Sequence, residues 1–586
     1  MTLSLCLVAL MGGVASSLTV RISSGTTETH ERHKYTIQLN VDFDALSYSG
    51  AERVRWINQG EKSSSVIYLH LYPNLRTADQ QGAAAQAPGA NGLVADEPKL
   101  EITEVLDATG SPLTYSLEDQ GATLRVNLHE AVSPDEAAEL SLRFKGTVPE
   151  IDPEETGLAT HVVKQVSAAI RSEKEIRRAR DINFRCRGVM LLGTAFPVLA
   201  VHDGDDWRKK PEATVGDIIF SEAADYVVTI TTAAGINVFA PGAEVPANPV
   251  NESRTFSASG LRDFAILLGR GVRSEQTEVD GTIITSIFLP EHERVGKRVL
   301  AIAGTALRTF NAAFGKLPFK EIKVAEAPLV AGLGSTEFST FSVIASAFYV
   351  DFDSPSMRNL PEIIREQRPA VEESLEFTTA HLTAHQWWGA AVGNDPAREP
   401  ILDEALSCWS ALLYYKSAYG EEKAAAVLDD QVRGVYRLYR TFGGDDMDAN
   451  RPSHDFRNTF QFAAIITAKG GLMFAELQRL IGQERVFAAL RSYYQANLFE
   501  IAELDDLRGA LIAESAIEQR RMVARTFSRW LSAKRGDEDI APPDTELANS
   551  LGIPNKPPPQ KGGDKNAFTA FAKLGKFFWQ QMTRIR

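Results

Sequence analysis

Glu376-Phe-Thr-Thr-Ala-His381-Leu-Thr-Ala-His385-Gln-Trp-Trp-Gly389, followed after a gap by Pro400-Ile-Leu-Asp-Glu404-Ala-Leu-Ser407, decides the reading of this chain. On a helix, two histidines four apart leave from the same face one turn apart, so both imidazoles can grip one metal ion. Residues 386–403 give that helix room to end, the chain room to turn at Gly393-Asn-Asp-Pro396, and a second helix room to bring Glu404 alongside. Two histidines and a carboxylate with an open fourth position are the donor set of a hydrolytic zinc centre. A bare pair of histidines at this spacing is more often an ordinary surface or core feature. The Gln-Trp-Trp-Gly tail and the placement of Glu404 separate this pair from that background.

The 586 residues are 44% hydrophobic and 24% charged, the composition of an ordinary globular protein with length for several domains. A formal net charge of −14 argues against nucleic acid as a general partner, because phosphate binding needs a basic footprint. Cys6, Cys186 and Cys408 suggest neither a disulfide scaffold nor a cysteine zinc site, and Cys408 reads as a buried helix residue.

The histidine stretch resembles the aminopeptidase N family of zinc metallopeptidases (gluzincins). That family's signature, H-E-x-x-H-Q-W-W-G, is followed by a third ligand in an L-N-E-G-like segment, here Leu402-Asp-Glu404-Ala. The resemblance implies Zn2+ held by His381, His385 and Glu404. One departure dominates: the family has a glutamate after the first histidine, the general base that takes a proton from the zinc-bound water, and this chain has Leu382.

Two further segments match the family. Gly332-Leu-Gly-Ser-Thr-Glu337-Phe-Ser is similar to its G-x-M-E-N-like edge strand, which lies along the substrate, and the resemblance makes Glu337, with Gly334 before it, the binding point for a free α-amino group. Gln461-Phe-Ala-Ala-Ile-Ile-Thr467-Ala-Lys469-Gly470 resembles the Y-x-K-G segment whose tyrosine donates to the oxyanion, and Thr467 occupies the tyrosine's place on a far shorter arm.

In chain order, residues 1–20 read as a signal peptide or anchor, apolar or small from Leu3 to Val20 but without a basic n-region, which points to export to an extracellular or periplasmic location. Short alternating segments such as Tyr35–Val41, Val66–Tyr72 and Tyr226–Thr231 make 21–254 an antiparallel β domain, which by resemblance is the family's saddle. Within it, Gln80–Gly92 reads as an exposed loop. Val162–Arg187, with Arg171, Lys174, Arg177, Arg178, Arg180, Arg185 and Arg187, reads as a solvated helix or mobile loop, or else a surface for an acidic partner.

A thermolysin-like metallopeptidase domain is expected over 255–475. It includes a helix over Val295–Phe314, an edge strand at Ile322–Glu326, and a helix from Glu404 that stops at Tyr419-Gly420. Helices follow over 476–535, then a Pro/Gly-rich linker over 536–566 and a basic amphipathic helix over 567–586 whose Trp579 suits a membrane surface. The fold class is α+β: an N-terminal antiparallel β saddle, a thermolysin-like catalytic-type domain and a short helical region.

Loss of a general base typically costs roughly a hundred- to ten-thousand-fold, and loss of one oxyanion donor roughly a hundred- to a thousand-fold. Glu376 and the carboxylates before it lie more than a helical turn from the water position, and Asp403 should point away from Glu404. The leading expectation is a zinc-binding, catalytically impaired homologue that recognises peptides with a free N-terminus. The alternatives are an active zinc aminopeptidase with an unrecognised base and a metal-free binding scaffold.

Overall fold

The computed structural model describes residues 31–77, 97–170, 174–204, 206–245, 253–355, 357 and 365–551. The leader-like residues 1–20, the loop at Gln80–Gly92 and the basic helix over 567–586 lie outside the described residues. The described residues from Arg32 onward form one compact unit.

Strict alternation of apolar and polar residues builds the first half. Along His33–Asp42 every second side chain is buried, so Tyr35, Ile37, Leu39 and Val41 face the core. This strand sits in the middle of a seven-stranded sheet. From edge to edge the sheet runs Ala243–Val245, Ser253–Leu261, Ala224–Thr231, His33–Asp42, Ser47–Ile57, Ala137–Thr147 and Lys99–Asp107. Its pairings are antiparallel except one: His33–Asp42 runs parallel to Ala224–Thr231. Two four-stranded antiparallel sheets complete the region. Ser253–Leu261 and Ile266–Arg270 belong to these sheets, so the expected boundary at 254 cuts through a strand and the β region extends to Arg270.

A five-stranded mixed sheet follows, in the order Arg273–Val279, Thr282–Phe288, Glu321–Ala327, Phe341–Ala345, Ser335–Phe338. Glu321–Ala327 is therefore central and buried, paired in parallel on both sides, where an edge strand over Ile322–Glu326 was expected. Every residue from Ile322 to Ala327 is buried, including Lys323 and Glu326, whose charges are met by Glu321 and His292, as a strand covered on both faces requires. One edge is Ser335–Phe338, which carries Glu337.

Helices cover this sheet. Glu293–Phe314 packs closely on Thr282–Phe288, because a side chain at Gly296 would collide with Phe288. The histidine helix Arg368–Ala384 packs against Glu293–Phe314, Phe341–Ala345 and the glutamate helix Ile401–Tyr419, which ends at Gly420 with φ 89°. The linker reading does not hold over 536–551. There, Gly536–Asp539 and Thr545–Leu551 are short helices, and Asp537 pairs with Arg440 at 2.7 Å.

Candidate metal centre and cleft

The histidine helix has a proline in its first turn, where no intrahelical donor is lost, and from Ser374 onward its residues are buried. His381 is 0% exposed and His385 2%. Their Nε2 atoms face each other 2.8 Å apart, and Glu404 brings Oε2 to 3.6 Å from His381 Nε2. The three ligand atoms lie within 4.8 Å of one another, as three donors around one ion require. A neutral-imidazole pair with one carboxylate is a donor set that fits zinc.

The residues after His385 hold the edge strand bearing Glu337 to the histidine helix. Gln386 Oε1 accepts from the Thr340 N–H at 2.7 Å, and its amide donates to Phe338 O and Ser342 Oγ, both at 3.3 Å. Thr340, at the tip of that hairpin, sits at φ 58°, a conformation costly for a β-branched residue and fixed here by Gln386. Trp387 and Trp388 donate to Gly315 O and Ser410 Oγ, tying the motif to the helices on either side. Gly389, at φ 111°, makes the turn that only glycine takes without strain.

Glu404 is positioned from behind. The helical run from Thr459 to Ile481 contains a π-helical segment, Ala463–Lys469, and Thr467 on it donates its hydroxyl to Glu404 Oε2 at 3.1 Å. Gly471 permits the close approach of the two helices, since a Cβ there would lie 2.9 Å from Cys408 Sγ. Lys469 is buried and donates to Met447 O, Ala533 O and Asp446 Oδ1 at 2.7, 3.0 and 3.1 Å, a structural tie.

Leu382 is 0% exposed. The carboxylates before His381 are engaged elsewhere: Glu376 accepts from Tyr414, Tyr419 and Arg298, Glu372 pairs with Arg368, and Glu373 with Lys423. Asp403 accepts from Asn394 at 3.0 Å and lines a cavity behind His385. Burial, with Glu404 next to it, holds the Asp403 carboxyl well above the usual range.

That cavity, about 70 Å³, is also lined by Glu337, Asp217 and Arg177. Glu337 Oε1 lies 3.5 Å from His385 Nε2, so the expected amine-binding carboxylate adjoins a nitrogen of the candidate metal site. Gly334 lies outside the lining, its carbonyl taken by the Ala345 N–H at 2.9 Å. Burial, and next the Glu337 charge, raise the Asp217 carboxyl to about 7. Arg262 reaches in from the β region. It donates to Ala390 O, Ser221 O and Glu500 O at 3.1, 3.3 and 2.8 Å, and burial lowers it to about 10.

Asp217, Arg177 and Arg262 were not singled out as site residues in the sequence. The arginine stretch gave a charge signal but no address, because its partners are distant in sequence. Arg177 pairs with Asp217 at 2.9 Å, Arg180 with Glu155 and Arg185 with Glu150, so the stretch is built into the fold rather than merely solvated.

Residues 363–530 match the model of the Peptidase family M1 domain. The chain is 24% identical over 260 residues to Aminopeptidase M1-B of Oryza sativa subsp. japonica and 28% identical over 177 residues to Aminopeptidase M1 of Arabidopsis thaliana. These matches cover 43% and 29% of this chain, but only 27% and 19% of the relatives' length. Among solved structures, the M1 zinc metallopeptidase from Deinococcus radiodurans superposes with TM-score 0.55 at 15% identity, over 86% of this chain and 94% of that one. A mutant of that metallopeptidase bound to a Tyr-Ser-Ala substrate superposes with TM-score 0.54 at 15% identity, over the same shares of the two chains. These likenesses establish the shared α+β fold.

Proposed function

Because the chain belongs to the aminopeptidase N family of M1 metallopeptidases, we propose that it is a zinc-binding member that recognises peptide N-termini and hydrolyses them poorly. The observation that carries this reading is Leu382, fully buried beside His381 where a proton acceptor is needed. His381, His385 and Glu404 would hold the metal, and Glu337 would take the ligand's ammonium. When bound, zinc supplies a Lewis acid that polarises a carbonyl and acidifies water. Around it, this chain's residues orient and bind: Thr467 holds Glu404, Gln386 holds the strand bearing Glu337, and the Leu382 side chain moves no proton. Export directed by residues 1–20 and membrane-surface contact through 567–586 belong to the same proposal.

An active aminopeptidase is the second reading, favoured by the Glu337 carboxylate at 3.5 Å from His385 Nε2. A panel of fluorogenic aminoacyl substrates, with and without chelator and beside His381→Ala, tests the two. Stoichiometric zinc with no hydrolysis above the variant is expected. Chelator-sensitive hydrolysis absent from the variant would establish the second reading. Leu382→Glu combined with Thr467→Tyr is expected to raise turnover if only those two side chains are missing.

A further inference from the structure

Arg178, Arg180 and Arg185 pair with carboxylates of their own region, whereas Arg177 lines the cleft. Its backbone N–H is pinned to Thr214 O at 2.8 Å. The preceding Glu175 is fixed to the helix that carries Thr467: its N–H donates to Arg457 O at 2.6 Å, and its carboxylate accepts from the Thr459 N–H and hydroxyl, both at 3.2 Å. The guanidinium is therefore delivered by a tethered segment into the cavity it shares with Glu337, His385 and Asp403.

An arginine carries five N–H donors in a rigid fork. Asp217 Oδ1 takes Nη1 at 2.9 Å, and the side chain retains 20% of its exposure. Burial pulls its pKa down, but Asp217, Glu337 and Glu404 more than offset this, so it stays charged. A charged, partly desolvated fork with donors to spare suits a carboxylate. By volume, the cavity beside it holds several waters, enough for a carboxylate group.

We propose that Arg177 makes the cleft selective for peptides whose first residue is aspartate or glutamate, its free edge binding the side-chain carboxylate while Glu337 holds the adjacent ammonium. This rests on the reading of the cleft as a peptide N-terminus site. Such a ligand satisfies both protein charges, whereas a neutral side chain leaves the guanidinium edge to water.

The test is binding of zinc-loaded protein to fluorescent peptides that differ only at the first residue, Glu, Gln or Leu, each free and N-acetylated. The expected result is at least about tenfold tighter binding of the Glu peptide than the Gln peptide. That ratio should fall to near one in Arg177→Gln and stand in between in Arg177→Lys, with wild-type circular dichroism and stoichiometric zinc as the controls for folding. Equal binding of free Glu and Gln peptides by the wild type overturns the proposal while leaving N-terminus recognition standing. Indifference to acetylation overturns the underlying reading and removes the ammonium partner the proposal needs. A Glu preference that survives in Arg177→Gln overturns the assignment to Arg177, and absence of binding by any peptide overturns both.

Discussion

The Thr467 hydroxyl donates to Glu404 Oε2 across 3.1 Å, so this side chain grips the third candidate ligand of the proposed metal site. π-helical turns are frequent at functional sites, and this one presents Thr467 to the glutamate helix. Outer partners of this kind orient a ligand and typically contribute 10- to 100-fold in metal affinity. Thr467→Val, which keeps the shape and removes the donor, should weaken zinc binding about tenfold in a chelator competition, and Thr467→Ser should retain most of it. Equal affinities in all three proteins would remove this role.

Leu382→Glu places a carboxylate where the native side chain is wholly enclosed. In chelated protein the substitution should cost roughly 2–5 kcal/mol, read by denaturant unfolding. Zinc should narrow the loss by giving the charge a cation to face. An unchanged midpoint without metal would mean that water already reaches this position.

Gly393 lets the Arg262 guanidinium lie against its backbone, and an added Cβ would collide with that group. Gly393→Ala should therefore destabilise by roughly 1–3 kcal/mol. Arg262→Leu, which strands the carbonyls of Ser221, Ala390 and Glu500, should cost at least as much. Thermal melts of both variants check this, and a neutral Gly393→Ala would show that the arginine can move aside freely.

His161 is buried, its ring edge-on to Phe348 at 5.7 Å, and burial lowers its pKa from 6.5 to about 4. Between those values the unfolded chain binds the proton and the folded one does not, so this group's contribution is present above pH 6.5 and lost as pH falls toward 4. The stability of wild type relative to His161→Phe should thus drop by roughly 3 kcal/mol over that window. A flat difference between the two proteins would contradict the burial effect.

The site was legible where the chemistry is local. His381 and His385 lie one helical turn apart at the end of one helix, Glu404 lies in the first turn of the next, and alternation marked Tyr35–Val41 because a half-buried strand repeats every two residues. What stayed hidden depends on distant partners. Nothing near Arg177 points to Asp217, and nothing near Arg262 points to Ala390 or Glu500. Ile322-Lys-Val-Ala-Glu326, with charges at Lys323 and Glu326, reads as an edge until its neighbours are known, and only the pairing on both sides places it at the centre. Thr467 was located by motif, but its partner depends on helix packing that spacing alone does not encode.

The parallel pairing of His33–Asp42 with Ala224–Thr231 bears on how the protein comes to be folded. The half of the large sheet built from Ser47–Ile57, Ala137–Thr147 and Lys99–Asp107 can zip onto His33–Asp42 while the ribosome is still reading the middle of the message. The other flank of His33–Asp42 must wait until residue 231 has emerged, with its backbone donors and acceptors open in the meantime. A pause in synthesis before that point would prolong the exposure of this edge, making the interval before Ala224–Thr231 arrives the stage at which the nascent chain most needs a chaperone.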